Sequence, residues 1–397
     1  RSIPWAEMPT SRSLCCPGSR CPAARGPLVG LLLLSFLLSP ALARTASGQS
    51  TGESSRVVLS RYGGGGALTE FYSVDLTSGR TSKIDQVRRD YEAVRSRRLE
   101  TNIFQEIGRP QTPAAQPGEI LFLPIHQSDG SSREALFVET STGYTAFLED
   151  LGRNDKIGKI ITTIGRPFGD IANGDLNFLL LGRRNAAGRT VGAYLYHGTT
   201  GKGLYARNLL DLDPEMSITP TADLPTSTGY LSAASLLSDE ETVAYLIIDS
   251  GTGSAFFLTP TERTTQLQQR PLPFDLFELF KAERLNVTAR RFIPVALETG
   301  STSTPRALIV DAGSGQMALI DDVLGPRPRF VKLPTNLYTT IPGGIQQRPR
   351  HFEPVTAEVS GGTVGLWLFD NLSASTLFVE NPADPSRIRL RPVSISR

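Results

Sequence analysis

Six times along the chain an apolar run ends in an acid or another polar residue, crosses two variable positions, a hydroxyl residue and a glycine, and resumes as a second apolar run. The segments read YSVDLTSG (72–79), LFVETSTG (136–143), YLYHGTTG (194–201), LIIDSGTG (246–253), LIVDAGSG (308–315) and WLFDNLSA (367–374). Their leading positions are Asp75, Glu139, His197, Asp249, Asp311 and Asp370. Four residues on stand Gly79, Gly143, Gly201, Gly253, Gly315 and Ala374. A side-chain oxygen at a turn entry accepts backbone N–H groups just ahead of it, and glycine supplies a positive φ, so each segment predicts a β-hairpin. An earlier apolar run precedes every hairpin, at 57–59, 120–123, 178–181, 230–231, 292–295 and 352–355. A later one follows most of them, as at 159–161 and 389–393. Each unit therefore predicts four short strands.

The leading positions recur at a mean spacing of 59 residues, and six such units fill the 354 residues beyond position 43. No unit of this kind buries its apolar faces alone; stacking the units around an axis and closing the ring does. The predicted fold is all-β, a six-bladed β-propeller of four-stranded units, with seven blades or an open β-solenoid as alternatives. Two segments depart from the strand pattern. Residues 84–100 place Ile84, Val87, Tyr91 and Val94 at helical spacing among charges, which predicts an amphipathic helix. Residues 273–285 (PFDLFELFKAERL) open on Pro and Asp and close on Lys281 and Arg284, the polarity a helix dipole favours. Their five large apolar side chains cover more than one face, so this helix either tucks against the ring or docks onto a partner, with Phe277 and Phe280 as the docking residues.

The start of the chain changes the charge picture. From Met8 it runs through Arg12, Arg20 and Arg25 into an 11-residue apolar run at 28–38, then Ser39, Pro40 and Ala41-Leu42-Ala43. A basic segment, a short apolar segment and an A-x-A site predict a secretory signal peptide cleaved after Ala43, with residues 1–7 upstream of the start. The run is too short for a permanent span of about 20 residues. The expected organisation is 1–43 upstream residues plus signal, 44–54 flexible linker and 55–397 propeller, in a secreted or periplasmic protein. Removing the signal takes the formal charge from +2 to −1, which leaves no argument for nucleic acid. It also takes Cys15, Cys16 and Cys21, the only cysteines, so disulfide, thiol and zinc–thiolate chemistry leave with it.

Each apparent catalytic motif falls on the repeat. Residues 246–252 and 309–314 look like the paired loops of pepsin-type aspartic proteases, whose two carboxylates share a proton. They stand one repeat apart, and the other four units carry the same position without that triplet, so the turn reading stands. His126, His197 and His351 lie in different units and form no metal-ligand cluster. Residues 197–203 fail the spacing of a phosphate-binding loop. Arg-Pro recurs at Arg109, Arg166, Arg270, Arg327, Arg348 and Arg391. Arg109, Arg166 and Arg348 are the candidates to line one face and bind an acidic partner, against the alternative of arginine stems packing between blades.

The D-x-x-[ST]-G turn resembles the repeat of pyrroloquinoline-quinone-type and YVTN-type bacterial propellers. The resemblance covers about eight residues in each of the six units. The Trp that follows the glycine in the quinone repeat is missing; Trp367 precedes its turn. The resemblance implies a propeller of the cell envelope and carries over neither the quinone nor dehydrogenase activity. With no catalytic, metal or cofactor residues assigned, the expected function is a non-catalytic scaffold binding an unidentified protein or glycan. A hydrolase or lyase acting at the central channel is the alternative.

Overall fold

The computed structural model describes residues 56–76, 78–85, 93–106, 120–140, 143–149, 159–165, 177–207, 209, 218–220, 224, 226–227, 229–261, 266–284, 290–298, 304–340, 352–359, 362–370 and 376–396. The predicted signal and linker lie outside the described residues. Blade one consists of β1 (Arg56–Tyr62), β2 (Leu68–Asp75), β3 (Arg80–Asp85) and β4 (Ala93–Asn102). Blade two follows with β5 (Ile120–His126), β6 (Ser132–Glu139), β7 (Thr145–Glu149) and β8 (Lys159–Gly165). Blade three has β9 (Phe178–Arg184), β10 (Thr190–His197), β11 (Gly203–Arg207) and β12 (Ile218–Pro220). Blade four has β13 (Leu231–Ser238), β14 (Glu241–Asp249), β15 (Ser254–Pro260) and β16 (Leu267–Asp275). Blade five comprises β17 (Phe292–Leu297), β18 (Arg306–Asp311), β19 (Gln316–Asp321) and β20 (Arg329–Asn336). Blade six ends the chain with β21 (Phe352–Val359), β22 (Gly362–Asp370), β23 (Thr376–Glu380) and β24 (Arg389–Ser396). Within each blade consecutive strands pair antiparallel. This is the six-bladed propeller that the spacing predicts.

The hairpin turns form as their chemistry requires. Gly79, Gly143, Gly201, Gly253 and Gly315 all hold φ near +70° and donate their N–H to the backbone carbonyl of the leading residue four positions back. Asp249 Oδ1 accepts from Gly251 N at 2.8 Å, and Asp311 Oδ1 from Gly313 N at 2.9 Å. The two aspartates of the protease-like triplets are thus turn residues of neighbouring blades. His197 takes the same place with its ring stacked on Phe178 and Nδ1 2.8 Å from Thr200 Oγ1.

Strand alternation sends successive side chains to opposite faces of a blade, and each face meets a neighbour. Tyr72 and Val74 pack with Ile120 and Phe137 between blades one and two, while Phe71 packs with Trp367, Phe369 and Phe378 between blades one and six. Further apolar clusters join blades two to three, three to four, four to five and five to six. Closure is completed at the rim, where β24 pairs in parallel with β4 through Ser394↔Ala93, Ile395↔Val94 and Ser396↔Arg95. A second repeated device lies at the inner ends of the blades. Tyr62 N donates to Ser132 Oγ at 2.9 Å, His126 N to Thr190 Oγ1 at 3.0 Å, Arg184 N to Thr242 Oγ1 at 2.9 Å and Glu298 N to Thr363 Oγ1 at 2.8 Å. Each bond joins the end of the first strand of one blade, or in blade five the residue just past it, to the second strand of the next.

Neither helical expectation holds as stated. Within 84–100 the described residues are strand: β3 pairs with β4 through Ile84↔Ser96, Lys83↔Arg97 and Ser82↔Arg98. As the outer strand of a blade, β4 keeps Arg97, Arg98 and Glu100 in solvent and buries Leu99, and such edge charge hides the strand alternation. In 273–285 the strand runs on through Pro273 to Asp275, and only α2 (Leu276–Phe280) is helical. Asp275 caps it by accepting Phe277 N at 2.8 Å, and Lys281 ends it in the left-handed region at φ 52°. Phe277 and Phe280 are each 2% exposed and pack on Phe292 of blade five. The segment tucks against the ring, and these rings are closed to a docking partner.

Phe277 has counterparts. α1 (Ile103–Glu106) and α3 (Leu337–Thr340) also follow outer strands. Asn102 Oδ1 accepts Phe104 N and Asn336 Oδ1 accepts Tyr338 N, as Asp275 does for Phe277. Ile103, Leu276 and Leu337 each donate their N–H to the carbonyl of the turn glycine of their own blade. The aromatic that follows covers that glycine: a Cβ built on Gly79 or Gly315 would sit 2.7 Å from Phe104 or Tyr338.

Candidate functional site

The first strand of each blade is an edge strand, with one ladder given to its own blade and the other row of backbone groups facing the axis. Proline is tolerated there because the lost N–H belongs to no ladder. Pro294 and Pro354 stand at the same register position in β17 and β21, opposite Ile309 and Leu368. Val58 holds that position in β1, opposite Ser73, and its N–H donates to Glu353 Oε2 of the neighbouring blade six at 2.6 Å. The six inner strands enclose a channel.

The half of the channel next to the hairpin-turn face is a cavity of about 570 Å³. Leu121, Phe122, Leu180, Pro294 and Pro354 form its apolar wall, and Arg56, Tyr230, Arg290 and Glu353 bring polar groups to it. Arg290 is anchored by one bond, from Nη2 to Phe178 O at 3.0 Å. Burial pulls Arg290 below the usual guanidinium value, and the charge of Glu353 opposes that pull. Burial pushes Glu353 up to about 7, against the bond from Val58 N and the charge of Arg290. A carboxyl placed there exchanges its proton near neutrality.

The opposite half is smaller, about 250 Å³, and is lined by His126, Arg184, Thr190, Thr242 and Glu298. Arg184 Nη2 donates to His126 Nε2 at 2.7 Å, and Tyr62 lies 5.1 Å from the His126 ring. Burial, then the neighbouring Arg184 charge, hold His126 well below its ordinary value, so the ring is neutral and Nε2 is the acceptor. Burial raises Glu298; Arg184 lowers it and Glu240 adds to the rise.

The sequence candidates stand elsewhere. Arg109, Arg166 and Arg348 lie outside the described residues, as does His351. Of the other Arg-Pro arginines, Arg270 packs over the Phe257 ring at 4.9 Å and donates to Leu324 O of blade five at 3.1 Å. Arg391 pairs with Glu380 at 3.0 Å on the outer strands of blade six, and Arg327 is exposed. Arg270 and Arg391 brace blades at the rim and take no part in the channel. Sequence reasoning passed over Arg290, Arg184, Glu298 and Glu353. The one local signal is a charge inside the apolar run Phe352-Glu353-Pro354-Val355, which marks an inner strand bordering something wet. Among the described residues, no group of three or more His, Cys, Asp or Glu is placed to hold a metal ion. Among them also, no helix is long and apolar enough to cross a membrane.

No family model matches this chain, and no curated protein matches it. Among solved structures it is similar to a functionally unknown protein from Desulfotomaculum acetoxidans (9% identity, 87% of this chain and 90% of that one, TM-score 0.43). It is similar also to a protein from Lactobacillus plantarum (13% identity, 86% and 82%, TM-score 0.43). A third is apo AztD from Citrobacter koseri (11% identity, 86% and 87%, TM-score 0.41).

Proposed function

We propose that this propeller is an exported, non-catalytic binding protein of the cell envelope, carrying a protein or glycan across its hairpin-turn face. The observation that supports it most is the position of the larger cavity, which adjoins that face where Arg56, Tyr230 and Arg290 converge. Wherever strand ends meet around a ring, side chains from several blades address one partner, and a rigid scaffold holds them in place. The apolar surfaces of the described blades are occupied by one another, so binding falls to the faces and the channel. Export rests on the basic, apolar and A-x-A order of residues 8–43.

The test uses the exported protein immobilised at known concentration against a glycan array and against cross-linked envelope extract. Retention of one partner by wild type, lost in Arg56→Glu and Tyr230→Ala variants that keep the native melting temperature, is the expected result. Retention unchanged by both variants overturns the assignment of the face. A second reading, a hydrolase or lyase, is favoured by one specific feature: Glu353 lines the channel cavity, and burial pushes its carboxyl up to about 7, the range of a general acid or base. Turnover of a peptide or glycan substrate by pure protein, abolished by Glu353→Gln, would decide for it.

A further inference from the structure

We infer that the turn-face half of the channel is a binding site for a small amphipathic carboxylate, with Arg290 taking the carboxylate and the apolar wall taking the body of the molecule. The site lies in the cavity beneath the face proposed above, and its test reads small-molecule binding with no macromolecular partner present.

Three features carry it. The first is Arg290 itself. A guanidinium has five N–H donors in a fixed fork suited to a carboxylate. Among the described residues its hydrogen bond is the one to Phe178 O, and no carboxylate lies within ion-pair distance. The bond to Phe178 fixes the group and leaves the rest of the fork available to an incoming anion. The second is the wall. Leu121, Phe122 and Leu180 are only partly buried, so apolar surface faces the lumen, and about 570 Å³ suits a small organic molecule. The third is charge. Arg56 and Arg290 line this half with Glu353 as the acid; His126, Arg184 and Glu298 line the other half. Protonation of Glu353 leaves the cavity with two cations, and a carboxylate entering beside it favours that protonated state.

Calorimetric titration with benzoate, phenylacetate and octanoate, each beside its neutral amide, tests the inference, with inorganic phosphate as a third arm. Expected is binding of at least one carboxylate ten-fold or more tighter than its amide and tighter than phosphate. Binding at pH 6 is expected to be about ten-fold tighter than at pH 8, as follows when a group titrating near 7 takes up a proton on binding. Arg290→Gln loses the preference for acid over amide. Glu353→Gln, which keeps an acceptor for Val58 N, binds equally at both pH values. Acid and amide binding alike, phosphate binding best, no binding of any probe at 10 mM (about a hundred-fold above a useful affinity), or a pH dependence surviving in Glu353→Gln would each overturn it.

Discussion

Among the described carboxylates Glu353 is one that burial holds well above its ordinary value, and the shift has a direction that stability measurements read. Its ordinary value is 4.5 and in the folded protein burial raises it to about 7. Between those values the native state holds a proton that the unfolded chain has released. Its contribution is therefore complete below pH 4.5 and is lost as pH rises through about 7. The loss is on the order of 1–3 kcal/mol, discounted because the Glu353 side chain is only partly buried. His126 works the other way: buried neutral, it costs stability as pH falls through its ordinary 6.5. Comparison with a variant separates them. Glu353→Gln keeps an oxygen for Val58 N and has nothing to ionise, so its melting temperature at pH 8 should exceed that of wild type by roughly 2–6 °C. At pH 5 the two should agree, and equal curves at pH 8 would contradict the assignment. The turn glycines give a second contrast. Gly315 and Gly65 share φ near +72°, yet a Cβ at Gly65 meets nothing, whereas at Gly315 it meets Tyr338 and Asn336. Gly65→Ala should cost about 1–2 kcal/mol from the backbone alone, and Gly315→Ala roughly 2–5 kcal/mol once overpacking is added, measured as denaturant midpoints.

At the scale of strands and turns, the hydroxyl bridges between blades invite a direct test. Thr242 accepts from the N–H of Arg184 and is buried, so Thr242→Val, which fills the same space, leaves that donor with no partner. A loss of roughly 1–3 kcal/mol with an unchanged denaturant slope is expected, and Thr242→Ser should recover most of it. Loss in Thr242→Ser with Thr242→Val unchanged would mean that the methyl group matters and the bond does not. These bridges also show what a sequence conveys. The hairpins were legible because Asp, hydroxyl and Gly act within five residues, and the same local chemistry sets the turn wherever it occurs. Ser132, Thr190, Thr242 and Thr363 act on the backbone of another blade, and a hydroxyl at a strand start carries no local sign of that. Asn102 and Asn336, which close outer strands, were equally silent, while Asp275 was legible as the opening of a helix but not as a member of a set. The reading of 84–100 as a helix failed for a related reason. Arginines spaced to keep an edge strand in solvent blur its period of two, and pairing with β3 and β24, both remote from local propensity, decided the outcome. Arg290 and Glu353 share a channel that exists only when six units have closed, so neither could be paired with the other beforehand.

For the whole molecule the informative feature is how the ring closes. Every blade is made of four consecutive strands, so the first and last blades exchange no strand. Five junctions are tied by the chain as well as by packing; the junction of blades six and one has packing, the rim pairing of β4 with β24, and the Val58–Glu353 bond. Where the covalent tie is missing, opening separates two surfaces without unfolding a blade, and the lowest sub-global opening belongs there. The apolar cluster at this junction is rich in aromatics, Phe71, Trp367, Phe369 and Phe378 among them, which compensates in packing for the absent connection. Native-state hydrogen exchange in low denaturant should therefore release amides of β1 and β21 before those of β9 and β13, although all four are inner strands. Trp367 lies in the cluster, the one tryptophan beyond residue 43, so its fluorescence should report the same event. Removing residues 394–397 deletes the rim pairing of Ser394, Ile395 and Ser396 with β4. Its effect should fall on exchange of β1 and β21 by ten-fold or more and leave β9 and β13 within two-fold. Uniform acceleration across all four strands would show that the ring opens as a single cooperative unit, with no weakest junction.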